Sequence, residues 1–228
     1  MKTPFAGLAD TLIQKSLNRA FINYAGGEKR APFMVPSACL PISQTLDDNF
    51  ELIQAEIFEL LKTRSLTRYE EIDKKRADEV SRDWKLFYVK LLNEYNELGV
   101  SLCPNIYELT KQHDEILSIA IAVLEPGVCL AAHEGPYAGI LRYHLGIEVP
   151  AVNPPYIRVK DQFYTWQVGD SIVLDDVFDH EVVNQASERR VILIVDFKRP
   201  MPKLYDRFNN FYLKRMQRRA KSLINKSN

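Results

Sequence analysis

Apolar positions change their spacing part-way along the chain, near residue 118. Before that point the repeat is helical. Leu46, Phe50, Ile53, Ile57, Leu60 and Leu61 recur at intervals of three and four, with acids on the opposite side, which predicts an amphipathic helix. Trp84, Phe87, Tyr88, Leu91, Leu92, Tyr95 and Leu98 repeat the pattern and stop at Gly99, read as a helix C-cap. Cys103-Pro104 then restarts the chain into a short helix around Ile106 to His113. The first 45 residues read as irregular, because Pro4, Pro32, Pro36, Pro41 and the Gly26-Gly27 pair interrupt them. The charged stretch 70–79 reads as a solvated connection or helix.

Beyond residue 118 the runs shorten. The apolar segment 119–124 stops at Pro126-Gly127, and further runs follow at 128–132, 139–149, 156–159, 162–167, 171–174, 181–184 and 191–197. About eight short strands at this spacing predict a sandwich, barrel or jelly roll rather than βαβ units. The segment 204–224 returns to helical spacing. The expected fold is mainly β with flanking helices in one domain overall. Residues 1–117 form an irregular segment and helical support, 118–200 the β core and 201–228 a basic C-terminal helix. A length of 228 residues suits that single domain.

Composition narrows the class. A hydrophobic share of 46% with 11% aromatic supports a sizeable core and excludes global disorder. Acidic and basic residues balance at 30 each, so whole-chain charge points to no nucleic-acid partner. The balance fails locally: after Lys198 the chain is rich in Lys and Arg, with Asp206 as the sole acid. Such a tail is usually a solvated helix face. Its Phe208, Phe211, Tyr212, Met216 and Leu223 allow a second reading, a peripheral contact with anionic lipid or an acidic carrier. Cys39, Cys103 and Cys129 lie far apart with no CxxC and read as reduced thiols. No secretory or membrane-spanning run is present. The expected location is therefore cytoplasmic, with peripheral contact at the inner membrane face as the variant.

Three of the four histidines fall in two segments that also carry arginines. One runs His133-Glu134-Gly135-Pro136 and on to Ile140-Leu141-Arg142-Tyr143-His144; the other runs Asp175-Asp176-Val177-Phe178-Asp179-His180 and on to Arg189-Arg190. Neutral imidazoles are common metal ligands, and guanidiniums suit a dicarboxylate. His133 and His180 are 47 residues apart, a separation that a jelly roll can close. Non-haem iron sites usually add a carboxylate two residues after the first histidine. That position here is Gly135, and Glu134 would point to the other face of a strand. Arg142 and Arg190 interrupt apolar strand patterns, where a charge is costly unless paired. Each is either a structural salt bridge to Asp175, Asp176 or Asp196, or part of a carboxylate clamp. His144 follows Arg142 by two residues and faces the same side.

On these motifs, residues 124–200 resemble the aspartyl/asparaginyl β-hydroxylase family of iron(II)/2-oxoglutarate dioxygenases. The resemblance rests on His133-Glu134-Gly135-Pro136, Leu141-Arg142-Tyr143-His144-Leu145-Gly146, the stretch from Gly169 to Asp176, His180-Glu181-Val182, and Arg190 with Asp196. The wording is closer still to the lipid A acyl-chain hydroxylase branch. There it takes in Trp84-Lys85-Leu86-Phe87-Tyr88, Leu102-Cys103-Pro104, Pro136-Tyr137-Ala138-Gly139, Tyr164-Thr165-Trp166 and Arg199-Pro200-Met201. The implied fold is a double-stranded β-helix (jelly-roll or cupin-like) with N-terminal helices. The implied site has iron on His133 and His180, 2-oxoglutarate on Arg142, His144 and Arg190, and O2 as the third reactant. The implied activity is hydroxylation of an unactivated C–H bond in an acyl chain, an amino-acid or peptidyl side chain, or a small natural-product intermediate.

Departures from the family pattern single out the substrate side. Gly135 matches the aspartyl branch, where water completes the metal shell, and not the lipid A branch, which carries Asp. Ile140 stands where aspartyl hydroxylases place an Arg, and Ala122 where they place a Ser. Gly135 and Ile140 are thus the candidate substrate-determining positions. An open position at Gly135 also admits a halogenase. A non-catalytic β-helix binding protein would be favoured by loss of the second histidine or of the clamp, and both are present.

Overall fold

Two-residue alternation between apolar faces builds the two sheets of the computed structural model, which describes residues 8–72 and 84–224. The elements run α1 (Leu8–Tyr24), β1 (Phe33–Met34), α2 (Pro36–Cys39), α3 (Ser43–Asp48), α4 (Phe50–Thr63), β2 (Thr67–Arg68), α5 (Tyr69–Ile72), β3 (Trp84–Leu91) and β4 (Glu94–Tyr95). They continue with α6 (Glu97–Leu102), α7 (Pro104–Thr110), β5 (Ile116–Leu124), β6 (Leu130–His133), β7 (Ile140–Glu148), β8 (Tyr156–Val159) and β9 (Gln162–Thr165). β10 (Ser171–Leu174), β11 (His180–Val183), β12 (Arg190–Lys198) and α8 (Lys203–Ile224) close the chain. The larger sheet has the order β1-β10-β7-β12-β5-β3-β2, with β4 beside β3, and the smaller one β6-β11-β8-β9. Strand pairs are antiparallel throughout. This is the expected mainly β double-stranded β-helix with flanking helices.

The larger sheet is buried on both faces. Odd positions of β12 (Val191, Leu193, Val195, Phe197) pack outward with Leu46, Ile53, Ile57 and Leu60 of α3 and α4. Ile192 and Ile194 point inward with Leu86, Ala120, Ala122 and Leu124, against Ile157, Val159 and Val182 of the smaller sheet. Each such aliphatic side chain contributes roughly 1.5–3 kcal/mol by leaving water. A third cluster joins Phe21 of α1 and Tyr212 and Leu213 of α8 to Tyr137 and Val177. It places both terminal helices against the loops next to the two histidines.

Two expectations for the N-terminal half are overturned. The segment from Trp84 is a β-hairpin, not a helix: Leu86 and Tyr88 face the inside, Phe87 and Val89 face the helices, and β3 pairs with β5. Leu92 and Asn93, at φ 46° and 69°, make its two-residue turn. The stretch carries enough apolar residues to match either period, and the open edge of β5 selects the strand. The β-helix therefore takes strands from before residue 118. A helix begins where one was expected to end, with the Asn96 side chain accepting from Leu98 N at 3.1 Å as its N-cap. The first 45 residues are not irregular either. Ile13, Leu17, Ala20 and Phe21 line one face of α1, a repeat masked by the prolines and glycines that flank it. The helix predicted over residues 46–61 is broken at Asn49 into α3 and α4. Of the charged stretch 70–79, residues 73–79 lie outside the described residues.

Candidate active site

His133 ends β6, His180 begins β11, and the two residues are direct cross-strand partners. Their rings lie 4.2 Å apart between centroids, tilted by 52°. Each ring is held by the same local device. Nδ1 of His133 donates to Ala131 O at 2.6 Å, and Nδ1 of His180 donates to Phe178 O at 2.9 Å, each a carbonyl two residues upstream. A carbonyl only accepts, so Nδ1 carries a proton in both rings, which in a neutral imidazole leaves the lone pair on Nε2. That is the tautomer a metal-binding histidine requires.

The space beside Gly135 is not open. Gly135 N donates to Asp176 O at 2.6 Å, and a Cβ built on Gly135 would lie 2.5 Å from Asp176 Oδ1 and 2.7 Å from its Cγ. Asp176, four residues before His180, brings a carboxylate to that space from the opposite side. It also meets Arg142 Nη1 at 3.4 Å. Burial, with help from Asp196 and Asp175, raises the Asp176 pKa against the opposing pull of Arg142 and His133. Among the described residues no group of three His, Cys, Asp or Glu is placed to hold a metal ion.

The three expected clamp residues separate into two kinds. Arg142 faces Asp196 across the β7–β12 ladder and donates to both its oxygens, at 2.7 and 3.1 Å. Burial works against its charge, but Asp196 and Asp176 outweigh burial and its pKa is raised. His144 and Arg190 are different. Arg190 is 1% exposed and its Nε and Nη1 find no hydrogen-bond partner among the described residues; both ring nitrogens of buried His144 share that condition. Burial alone lowers the Arg190 pKa to about 9. Burial, then Arg142, Arg190 and His180, hold the His144 pKa well below the usual imidazole range, so the ring is neutral.

Trp166 joins these two residues. Its ring lies 4.5 Å from Arg190 Cζ and 5.8 Å from the His144 ring, and its own Nε1 is buried without a partner. A buried, unpaired guanidinium costs several kcal/mol. Five donor or acceptor atoms thus lie orphaned around one indole, an arrangement chemically able to take an anionic, hydrogen-bonding ligand. Trp166 is itself buried in the core between the sheets. Ile140, the first residue of β7 and two before Arg142, packs into the cluster under α1 and α8.

The loop that carries Asp176 and His180 is pinned by Asp175, which pairs with neither Arg190 nor Arg142. Its Oδ2 accepts from Arg30 Nε at 2.9 Å and from Arg199 Nη2 at 2.8 Å, all three residues being buried. Arg30 also lies over the Phe178 ring, 3.5 Å from its centroid. One node thus ties the N-terminal segment and the end of β12 to the second histidine.

A family model for aspartyl/asparaginyl β-hydroxylase matches residues 47–200, which include both histidines, Asp176 and the Arg142, His144, Trp166 and Arg190 positions. The chain belongs to that family. An ornithine lipid ester-linked acyl 2-hydroxylase from Rhizobium tropici is 33% identical over 186 residues, covering 80% of this chain and 66% of that protein. The human aspartyl/asparaginyl β-hydroxylase is 28% identical over 182 residues, covering 76% of this chain and 23% of that protein. The chain therefore spans less than two thirds of either relative. A Cupin 2 conserved barrel domain protein from Salinispora arenicola aligns at a TM-score of 0.34 and 13% identity over 57% of this chain and 85% of that one. That likeness adds nothing to the strand order described above. Among the described residues no helix is long and apolar enough to cross a membrane.

Proposed function

We propose that this chain is an iron(II)- and 2-oxoglutarate-dependent hydroxylase acting on an unactivated C–H bond of an acyl chain. The observation that carries the reading is the orphaned His144–Arg190–Trp166 cluster, whose His144 and Arg190 stand on the larger sheet, with the tautomer-fixed His133–His180 pair on the smaller sheet and His180 close enough to act on the His144 charge. The residues fit both groups the family implies. His133 and His180 would hold iron through Nε2, and Arg190 with His144 would take a carboxylate of 2-oxoglutarate, the guanidinium gaining the counter-charge it lacks. Iron with 2-oxoglutarate and O2 supplies the oxidising power for the C–H bond, with succinate and CO2 as co-products.

The rest is done by the chain. The two backbone carbonyls hold the imidazoles in orientation. Asp196 fixes Arg142, and Arg142 in turn keeps the Asp176 carboxylate against Gly135, close to His133. Apolar side chains of the two inner faces exclude water from the space between the sheets.

Two features favour an acyl chain over an aspartyl side chain. Arg142 already has its carboxylate in Asp196 and offers no unpaired charge to a second acid, and Ile140 and Ala122 add only apolar surface. The Rhizobium tropici relative is itself named for acyl hydroxylation. The halogenase alternative is disfavoured by Asp176, whose carboxylate fills the space a halide would need. The test is to incubate purified protein with iron(II), 2-oxoglutarate, O2 and a cell lipid extract. Iron-dependent succinate and an acyl chain heavier by one oxygen are expected, both abolished by His180→Ala. Failure to bind either iron or 2-oxoglutarate would sink the enzyme reading. An oxygen gained on aspartate or asparagine instead would overturn the substrate.

A further inference from the structure

We propose that α8 docks the protein on an anionic lipid surface through a stripe of exposed apolar residues flanked by cations. Leu204, Phe208 and Phe211 are 65%, 51% and 57% exposed. Exposed apolar residues scattered singly need no explanation. These three follow one another at i, i+4 and i+7 and make one continuous stripe. It is not the spill-over of a core face, because the body side of the helix is taken by Asn209, Tyr212 and Leu213, all buried. The aromatic residues of the basic tail thus divide, with Tyr212 inward and the two phenylalanines outward.

Charge argues for what covers the stripe. Lys203, Arg207, Lys214 and Arg218 are exposed along the same helix, whose only acid, Asp206, accepts from Asn210 at 2.8 Å. An amphipathic helix with aromatic residues beside cations suits the interface of an anionic bilayer. Pairing of two copies through this stripe would bring the cations together, which opposes it.

Position argues for a purpose. Asn209 accepts from the Tyr137 hydroxyl at 2.9 Å and donates to Gly139 O at 2.8 Å, which fastens α8 to the loop that leaves His133. The docking helix is thus built onto the segment carrying the first metal-binding histidine. Delivery of an acyl substrate from the bilayer rests on the hydroxylase reading; the lipid contact itself does not.

The experiment is sedimentation of the intact protein with vesicles of phosphatidylglycerol and phosphatidylcholine, and with phosphatidylcholine alone, at low and high salt. Binding to the anionic vesicles only, weakened by salt, is expected. Phe208→Ser/Phe211→Ser should lower the partition coefficient about tenfold or more, and Arg207→Glu/Lys214→Glu should do the same by about fivefold or more per residue. Equal partition of either variant and the parent, or equal binding to neutral vesicles, overturns the proposal. So does a parent that is dimeric by size exclusion and becomes monomeric in the serine variant, or one that binds polyglutamate but no vesicle. Succinate formation measured on the same preparations with detergent-dispersed lipid separates the two ideas. Vesicle binding without turnover leaves the docking standing and the hydroxylase refuted, and turnover without vesicle binding does the reverse.

Discussion

Arg142 and Arg190 stand on the inner faces of neighbouring strands, and their partners alone make them different. Asp196 and Asp176 neutralise Arg142, whereas Arg190 rests on the Trp166 ring with Nε and Nη1 unsatisfied. A buried charge without a partner destabilises the fold that contains it, at an effective cost on the order of several kcal/mol. Arg190→Met should therefore raise the melting temperature of the unliganded protein and erase its stabilisation by 2-oxoglutarate, while iron binding persists. Differential scanning calorimetry with and without the dicarboxylate measures both. A Met variant that is less stable and still responds would make Arg190 a structural residue.

At the scale of elements, the hairpin β3–β4 and the helix after it show how packing overrules local pattern. Gly99 does not cap a helix; it lies inside α6, where a Cβ would sit 2.8 Å from Val89 Cα and 3.1 Å from Tyr88 O. Close approach of α6 to β3 is the reason for glycine here, because the obstacle is backbone and has no rotamer to yield. Gly99→Ala should cost about 1–3 kcal/mol by overpacking, despite alanine's better helix propensity. Chemical denaturation reads this directly. An unchanged or raised midpoint would mean the helix can shift away from the strand.

For the whole molecule, the two terminal helices belong to the body of the protein. Gln14 and Asn18 of α1 donate to Pro136 O at 2.6 and 3.0 Å, and Asn209, Tyr212 and Leu213 of α8 are buried on the same loop. Arg30 and Arg199 meet at Asp175 between them. A chain truncated to residues 1–202 would lose Asn209 from Gly139 and open the Phe21–Tyr137–Tyr212 cluster. Removing Tyr212 and Leu213 alone forfeits about 3–6 kcal/mol of burial. Thermal melts should therefore show a strongly destabilised or unfolded protein. A truncated chain that melts like the parent would show that α8 is an independent appendage.

The β core was legible from residue 118 onward because its apolar runs are short and Gly or Pro separates several of them. The expected runs 156–159 and 171–174 coincide with β8 and β10, and the other six differ from β5, β6, β7, β9, β11 and β12 only at their ends. Family motifs also named the imidazole pair and its arginines. Local spacing failed where apolar content satisfied two periods, as in β3, since only pairing with β5 selects between them. It also had no means of showing that Asp176 fills the space beside Gly135, or that Asp196 takes Arg142 and leaves Arg190 and His144 orphaned. Spacing along a chain states which side a residue faces within its own element. Which charge finds a partner is decided between elements distant in sequence, and here that choice pairs Arg142 within the fold and leaves Arg190 and His144 unpaired.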